Sequence, residues 1–474
     1  MKYVSTRGQA PVLPFDEVLL TGLARDGGLY VPATWPKFSK SKIKSFCGLS
    51  YGELATQVMT PYIGSAIGKD IFAKIVSETY ANFDHPAVAP LKQLGPNDWL
   101  LELFYGPTLA FKDYPLQLVG RLFDEVLGQK GRKITIVGAT SGDTGSAAIE
   151  ACKDREAIDI FIFHPSGRVS EVQRRQMTTV QSPNVHNIAL DGTFDDCQDL
   201  VKSLFAHTTF RDRYNLSAVN SINWARIMAQ IVYYFWAALK LGAPDRKVTF
   251  SIPTGNFGNV FAGYAAYCMG LTVDKFIVAS NANDILTRYF ETGDMTMSKV
   301  VPTISPSMDI QVSSNFERLL FEYYQRKGAS VGKAIERFRR DGVVSFGKER
   351  WYAMRELFEG RRLDDKNTQD ALAEFFHETG DLADPHTIIG IKAGREARSR
   401  VTSIENATSP IISLATAHPA KFPDAVEDAT GQRPSLPARL ADLFEREERM
   451  VTLPNDVAQV EKYIAHRLAV GKAT

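Results

Sequence analysis

Lys133-Ile-Thr-Ile-Val-Gly-Ala-Thr-Ser-Gly-Asp-Thr-Gly145 reads as a β-strand, a turn of small residues and the start of a helix that runs on through alanines. Ile134, Thr135, Ile136 and Val137 favour a pleated, packed surface, and the Gly, Ser and Asp residues that follow end it. The strand is apolar on both faces, as a strand covered by helices on each side must be. The pattern recurs at Asp159-Ile-Phe-Ile-Phe163, Val185-His-Asn-Ile-Ala-Leu190, Val248-Thr-Phe-Ser-Ile252 and Lys275-Phe-Ile-Val-Ala279. Helical patterns lie between these runs at 143–153, 169–178, 194–206, 221–241 and 257–269. Strand and helix in alternation predict an α/β architecture with right-handed crossovers.

Outside this middle region the pattern changes. Residues 1 to about 95 read as helical or irregular, with a turn at Arg25-Asp-Gly-Gly28 leading into a short extended piece, and form an expected N-terminal domain. A smaller α/β domain is expected over 96–215 and a larger one over 216–474. The larger one carries a helical insertion at about 305–385, with helices around 316–326, 331–338 and 351–358. The last sheet element is expected at Pro410-Ile-Ile-Ser-Leu-Ala415. The length of 474 residues exceeds what one core supports.

Composition excludes several function classes. The 55 basic and 54 acidic residues leave a net charge of +1, too balanced for a nucleic-acid footprint. In Arg337-Phe-Arg-Arg340 the charges read as a solvated helix face with Phe338 turned inward. The apolar stretch 227–241 is short and contains Gln230 and Lys240, so it reads as a buried helix rather than a membrane span. Four cysteines stand far apart without a CxxC pair, and eight histidines show no HExxH spacing, so no protein-held metal is expected. The N-terminus shows no apolar run of signal-peptide kind, and a cytoplasmic location is expected.

Four segments and one further threonine can carry chemistry. In Pro107-Thr-Leu-Ala-Phe-Lys-Asp113, Lys112 is either a surface residue at a helix start or an amine kept partly desolvated by Phe104, Leu109 and Phe111 for Schiff-base formation. The turn 140–145 places helix-start amides where an anion can sit; an ordinary N-cap by Ser141 or Asp143 fits it too. It is not GxGxxG, and no GK[ST] follows. Pro253-Thr-Gly-Asn-Phe-Gly-Asn259 again joins a strand to a helix, and its two glycines let backbone wrap a phosphate; a tight βα loop without ligand is the alternative. Asn220-Ser-Ile-Asn-Trp-Ala-Arg226 offers amides and a guanidinium for an anion, or an N-cap by Asn220 or Ser221 beside a surface arginine. Thr416 either caps the last strand or gives a hydroxyl to a heteroaromatic nitrogen. An amine, an anion-receiving helix start and a phosphate cradle are what a pyridoxal phosphate enzyme must provide.

In order, these motifs resemble threonine synthases, a family of fold-type II pyridoxal phosphate enzymes. The resemblance runs through Tyr3-Val-Ser-Thr-Arg-Gly8, residues 22–32, Phe111-Lys-Asp113, Ser141 to Gly145, Asn220-Ser-Ile-Asn223, Gly255 to Asn259 and Thr416-Ala-His-Pro-Ala-Lys-Phe422. It implies two open twisted sheet domains flanked by helices, with the N-terminal domain of the longer bacterial and fungal type and a helical insertion. By position it makes Lys112 the Schiff-base lysine. Gly255, Asn256, Phe257, Gly258 and Asn259 would bind the cofactor phosphate, and Thr416 would face the pyridine nitrogen. Ser141, Thr144, Asn220 and Arg226 would hold the substrate. Asp143 would lie near the cofactor 3′-oxygen, where many relatives have asparagine, so its role stays open.

The implied reaction converts O-phospho-L-homoserine and water to L-threonine and phosphate. A phospholyase of the same fold, releasing 2-oxobutyrate, and a non-catalytic phosphate- or nucleotide-binding protein are the alternatives. The expected partner is the small-molecule substrate, with no nucleic acid and no membrane, in a monomer or homodimer.

Overall fold

The computed structural model describes residues 1–399 and 409–470. They divide into two compact units, one of Met1–Phe111 with the segment from Ser221 to Pro434, the other of Lys112–Asn220 with the stretch from Ser435.

The second unit is built on a five-stranded sheet, parallel throughout. Its order is Val451–Leu453, Val185–Leu190, Ile158–Pro165, Ile134–Ala139 and Leu216–Ser217. The expected strands at 133–137, 159–163 and 185–190 are its centre. Val137, Phe161, Phe163, Ile188 and Leu190 face Cys197, Leu200 and Leu204 of helix Phe194–Ala206 and Val460 and Ile464 of helix Val457–Val470. Strand Val451–Leu453 corrects the expectation that the sheet elements end at Ala415. Three residues, none fully buried, carry no period for the sequence to show.

The first unit holds a six-stranded sheet in the order Phe358–Arg362, Val273–Ser280, Val248–Pro253, Ile411–Ala415, Asp98–Glu102 and Leu91–Gly95. All neighbours are parallel except the antiparallel edge strand Leu91–Gly95. Every residue of Val248–Pro253 and Ile411–Ala415 is buried, the signature of central parallel strands. Helix Trp224–Lys240 is buried from Trp224 through Ala238, as its apolar sequence predicts.

Three expectations change here. Residues 1–32 contribute a three-stranded antiparallel sheet, in which Tyr30–Pro32 is the short extended piece expected after the turn at 25–28, while Lys2–Ser5 and Leu13–Pro14 are strands where helix or irregular chain was expected. The stretch 351–358 divides into helix Lys348–Arg355 and strand Phe358–Arg362, which pairs with Val273–Ser280. Its charges belong to an edge strand, which tolerates them on its open side, while Phe358 and Gly360 turn inward. A Cβ on Gly360 would lie 2.6 Å from Thr287 Cα. Helices Phe316–Tyr323 and Gly328–Asp341 overlap the expected 316–326 and 331–338, Asp365–Thr379 is a further helix of the insertion, and Phe338 is buried. Helix Trp224–Lys240 is capped by Asn223, whose side chain accepts from Ala225 N at 3.0 Å, not by Asn220 or Ser221. No described helix is long and apolar enough to cross a membrane.

Candidate active site

Lys112 immediately precedes helix Asp113–Lys130. Its side chain is only 11 % exposed, which removes the reading of a surface lysine. Nζ lies 3.3 Å from Oδ2 of Asp143. The other Asp143 oxygen accepts from Gln173 Nε2 at 2.8 Å, and Gln173 Oε1 accepts from Ser170 Oγ at 3.0 Å. Asp143 is thus a buried carboxylate with a cation on one oxygen and an oriented amide on the other. That charge and those hydrogen bonds offset the desolvation of the carboxylate.

Asp143 opens helix Asp143–Cys152, but neither it nor Ser141 is the cap. The cap position is Gly142, at φ 138°, and a Cβ there would meet Gln173 at 2.4 Å. Thr140 Oγ1 accepts from Gly142 N at 3.0 Å and Gly145 N at 2.8 Å, so the threonine one residue earlier ties the turn. Ser141 and Thr144 are half-buried at this helix start. Asn220 is exposed on a bend. Gln173 was not anticipated: nothing local in Glu171–Thr178 announces that one of its glutamines faces an aspartate thirty residues back.

In the first unit the loop after strand Val248–Pro253 runs through Gly255 and Asn256 to Phe257, at φ 60°, before helix Gly258–Cys268 begins. A left-handed phenylalanine is strained, of order 1–3 kcal/mol. Full burial and an edge-on contact with Phe316 at 5.2 Å hold it there. Residues 313–315 brace the loop. Ser313 Oγ donates to Gly255 O at 2.6 Å and Asn315 N donates to Asn256 O at 3.1 Å. Space favours the glycines: a Cβ on Gly255 would lie 3.0 Å from Ser307 O, and one on Gly258 3.3 Å from Asn315 Nδ2, both tight contacts.

Two amide groups at this loop stand out. Asn259 Oδ1 accepts from the hydroxyls of Tyr233 and Tyr234 at 2.6 and 2.8 Å, and Asn315 Oδ1 accepts from Arg318. Each amide nitrogen is buried with no partner among the described residues. Buried donors ordinarily find acceptors, so a loop carrying two orphaned N–H₂ groups beside helix-start amides suits a phosphate.

Arg318 is fully buried and also donates to Tyr30 O and Ile222 O; burial pulls its pKa down to about 9, against a smaller raising effect of Glu317. Arg226 is buried too, so it is not the surface arginine of the bland reading; burial lowers it to about 10, with Tyr233 opposing. Thr416, following strand Ile411–Ala415, is buried. Its N–H donates to Thr387 Oγ1 at 3.1 Å, and its carbonyl accepts from Phe111 N at 2.8 Å. No cluster of three His, Cys, Asp or Glu suited to a metal occurs among the described residues.

A desolvated lysine amine and a phosphate-suited loop are the two attachments that an aldehyde-bearing phosphate cofactor needs. The family description "Pyridoxal-phosphate dependent enzyme" matches residues 84–341, "Threonine synthase N terminus" residues 2–80, and "Threonine synthase, C-terminal" residues 387–464. A threonine synthase from Pseudomonas aeruginosa is 55 % identical over 473 residues, covering 100 % of both chains. The chain belongs to the threonine synthase family. A solved structure of pyridoxal phosphate-bound threonine synthase from Brucella melitensis is 51 % identical with a TM-score of 0.95, covering 98 % of this chain and 99 % of that one. The threonine synthase structure from yeast is 36 % identical with a TM-score of 0.93, covering 99 % of each chain. The fold-type II architecture, the pyridoxal 5′-phosphate cofactor, the small-molecule substrate and the carbon–oxygen lyase activity of a threonine synthase expected from the motifs all stand.

Proposed function

We propose that this chain converts O-phospho-L-homoserine and water to L-threonine and phosphate, with Lys112 as the residue that attaches the cofactor and then moves the protons. The observation that carries the assignment is the Lys112 amine, nearly sealed from water and paired at 3.3 Å with a carboxylate that Gln173 orients. Bound pyridoxal phosphate supplies an electron sink conjugated to the substrate Cα.

The remaining work belongs to side chains. Lys112, displaced by the substrate amine, takes a proton from Cα and then from Cβ. Asp143 holds the resulting ammonium in place, and Gln173 keeps Asp143 from turning away. Gly255 to Asn259 bind the cofactor phosphate through backbone amides, joined by the amide nitrogen of Asn259. Thr416 would face the pyridine nitrogen with a neutral hydroxyl, which would leave that nitrogen largely unprotonated. Ser141 and Thr144 at their helix start receive a substrate anion, with Asn220 and Arg226. At a pKa of about 10, Arg226 still carries its charge at neutral pH, where an anion needs it. The Cγ–O bond would break as phosphate leaves, one proton would turn Cγ into a methyl group, water would supply the hydroxyl on Cβ, and a second proton would return to Cα.

We place the enzyme in the cytoplasm as a monomer or homodimer, which the unpaired cysteines and the family resemblance support. Turnover of O-phosphohomoserine in ¹⁸O-water, read by mass spectrometry, tests the reaction. Label in threonine is the expected result. Formation of 2-oxobutyrate and ammonia assigns the phospholyase reaction, and no turnover by the loaded enzyme removes the substrate assignment.

A further inference from the structure

Asp384 is fully buried just before helix Pro385–Ser399, and each of its oxygens serves a different residue of that helix's first turn. Oδ2 accepts from Thr387 N at 3.3 Å and from the Thr387 hydroxyl. That hydroxyl has one proton, and Asp384 takes it. Thr387 Oγ1 is therefore left as a pure acceptor, and it accepts Thr416 N at 3.1 Å. Oδ1 accepts from His386 N at 2.9 Å and from His386 Nδ1 at 2.8 Å. With its proton on Nδ1, the ring presents a lone pair on Nε2, and this accepts Ser307 N at 3.3 Å. Ser307 and Met308 are the backbone packed against Gly255, 3.0 and 3.1 Å from where a Cβ would be.

We propose that Asp384 is a positioning residue that sets two parts of the cofactor site together, fixing Thr416 through Thr387 and the wall of the phosphate loop at Gly255 through His386. The inference rests on the assignment of Thr416 and Gly255 to the cofactor made above. It goes beyond that assignment by naming what holds the two in register. A helix cap alone does not require this arrangement. Capping uses backbone N–H groups, and serine or asparagine serves as well as aspartate. Asp384 in addition dictates which way a hydroxyl and an imidazole point, and each of those groups goes on to hold a different strand or turn. Asparagine at 384 retains one acceptor oxygen but places N–H₂ against a donor, so one of the two arms must let go.

The test uses the purified holoenzyme without substrate, so its result is separate from the outcome of the labelled-water experiment. Three readouts serve: the absorption and emission of the bound cofactor, its ³¹P chemical shift, and its dissociation constant. Thr387→Val should shift the optical spectrum, with cofactor affinity within about threefold of wild type. Thr387→Ser should restore the spectrum. His386→Leu should move the ³¹P signal and weaken cofactor binding about tenfold, leaving the optical band in place. Asp384→Asn should show at least one of the two signatures. A drop in melting temperature alone, with spectrum, ³¹P shift and affinity as in wild type across the three variants, would reduce Asp384 to a cap and overturn the proposal. Should Thr416→Val leave the optical band unmoved, the Thr387 arm has no cofactor contact to position, and the proposal falls with the placement of Thr416. Because Thr387→Val and Thr387→Ser keep Asp384 intact, a misfolded Asp384→Asn does not remove the test.

Discussion

Arg226 carries its charge where water cannot reach it. Burial holds its pKa at about 10, below the ordinary arginine value. The sign follows from linkage: a cation whose folded pKa is depressed destabilises the fold wherever both states are charged. The penalty is therefore present at neutral pH and fades only as pH rises above about 10. Arg226→Met should then leave the melting temperature of the cofactor-free protein equal or raised. If Arg226 meets a substrate anion, kcat/KM should fall by about ten- to a hundredfold, the scale of a lost charged hydrogen bond. Calorimetry and steady-state kinetics check the two halves, and a large fall in melting temperature would make the arginine structural. Lys112→Ala should remove the visible cofactor band and turnover together. A borohydride-trapped cofactor adduct surviving on another lysine in that variant would move the attachment point. The sequence makes Lys112 legible because an aromatic, an acid and two downstream anion loops surround it. It leaves Asn315 and Gln173 unread, since an amide matters here only through a neighbour that folding brings to it.

At the level of elements, the strands buried on both faces were readable because no charge interrupts them, as Val248–Pro253 shows, where Thr249 and Ser251 are the only polar residues. Edge strands were not. Phe358–Arg362 hides a buried Phe and Gly among charges that suit an open edge, and Val451–Leu453 is too short to repeat. The loop between strand Val248–Pro253 and helix Gly258–Cys268 was legible for a different reason, since its glycines answer to space. At Gly258 a Cβ would crowd Asn315 Nδ2 at 3.3 Å. Gly258→Asp adds to that crowding a carboxylate in a loop suited to phosphate. The variant should keep native circular dichroism and lose cofactor on dialysis. Retention equal to wild type would place the cofactor phosphate at another loop.

Across the first unit, the N-terminal sheet is bolted to the helix that supports this loop. Thr6 Oγ1 donates to Glu317 Oε1 at 2.7 Å, and Arg7 reaches both Glu317 oxygens at 3.2 and 3.1 Å. The next residue, Arg318, donates to Tyr30 O and to Asn315 Oδ1. Arg326 donates to Pro32 O at 2.7 Å. Residues 6, 7, 30 and 32 thus grip helix Phe316–Tyr323 and the residues around it, and Asn315 at its N-cap touches the loop between strand Val248–Pro253 and helix Gly258–Cys268. No local motif forecasts such a grip, since its partners stand some three hundred residues apart in sequence. The Arg7–Glu317 pair is 12 % and 7 % exposed, so its geometry is fixed and its members are poorly hydrated. Removing one partner of a buried pair strands the other, at a cost of about 3–5 kcal/mol, and partial exposure here points to the lower end. Glu317→Gln should therefore lower the urea midpoint. If the N-terminal sheet holds Asn315 in place, the same change should weaken cofactor binding although residue 317 does not touch the loop. Cofactor titration of Glu317→Gln beside an equally destabilised variant in the helix Val457–Val470 separates the two effects. Weaker binding in the first variant alone supports the grip, and equal weakening in both attributes the loss to stability.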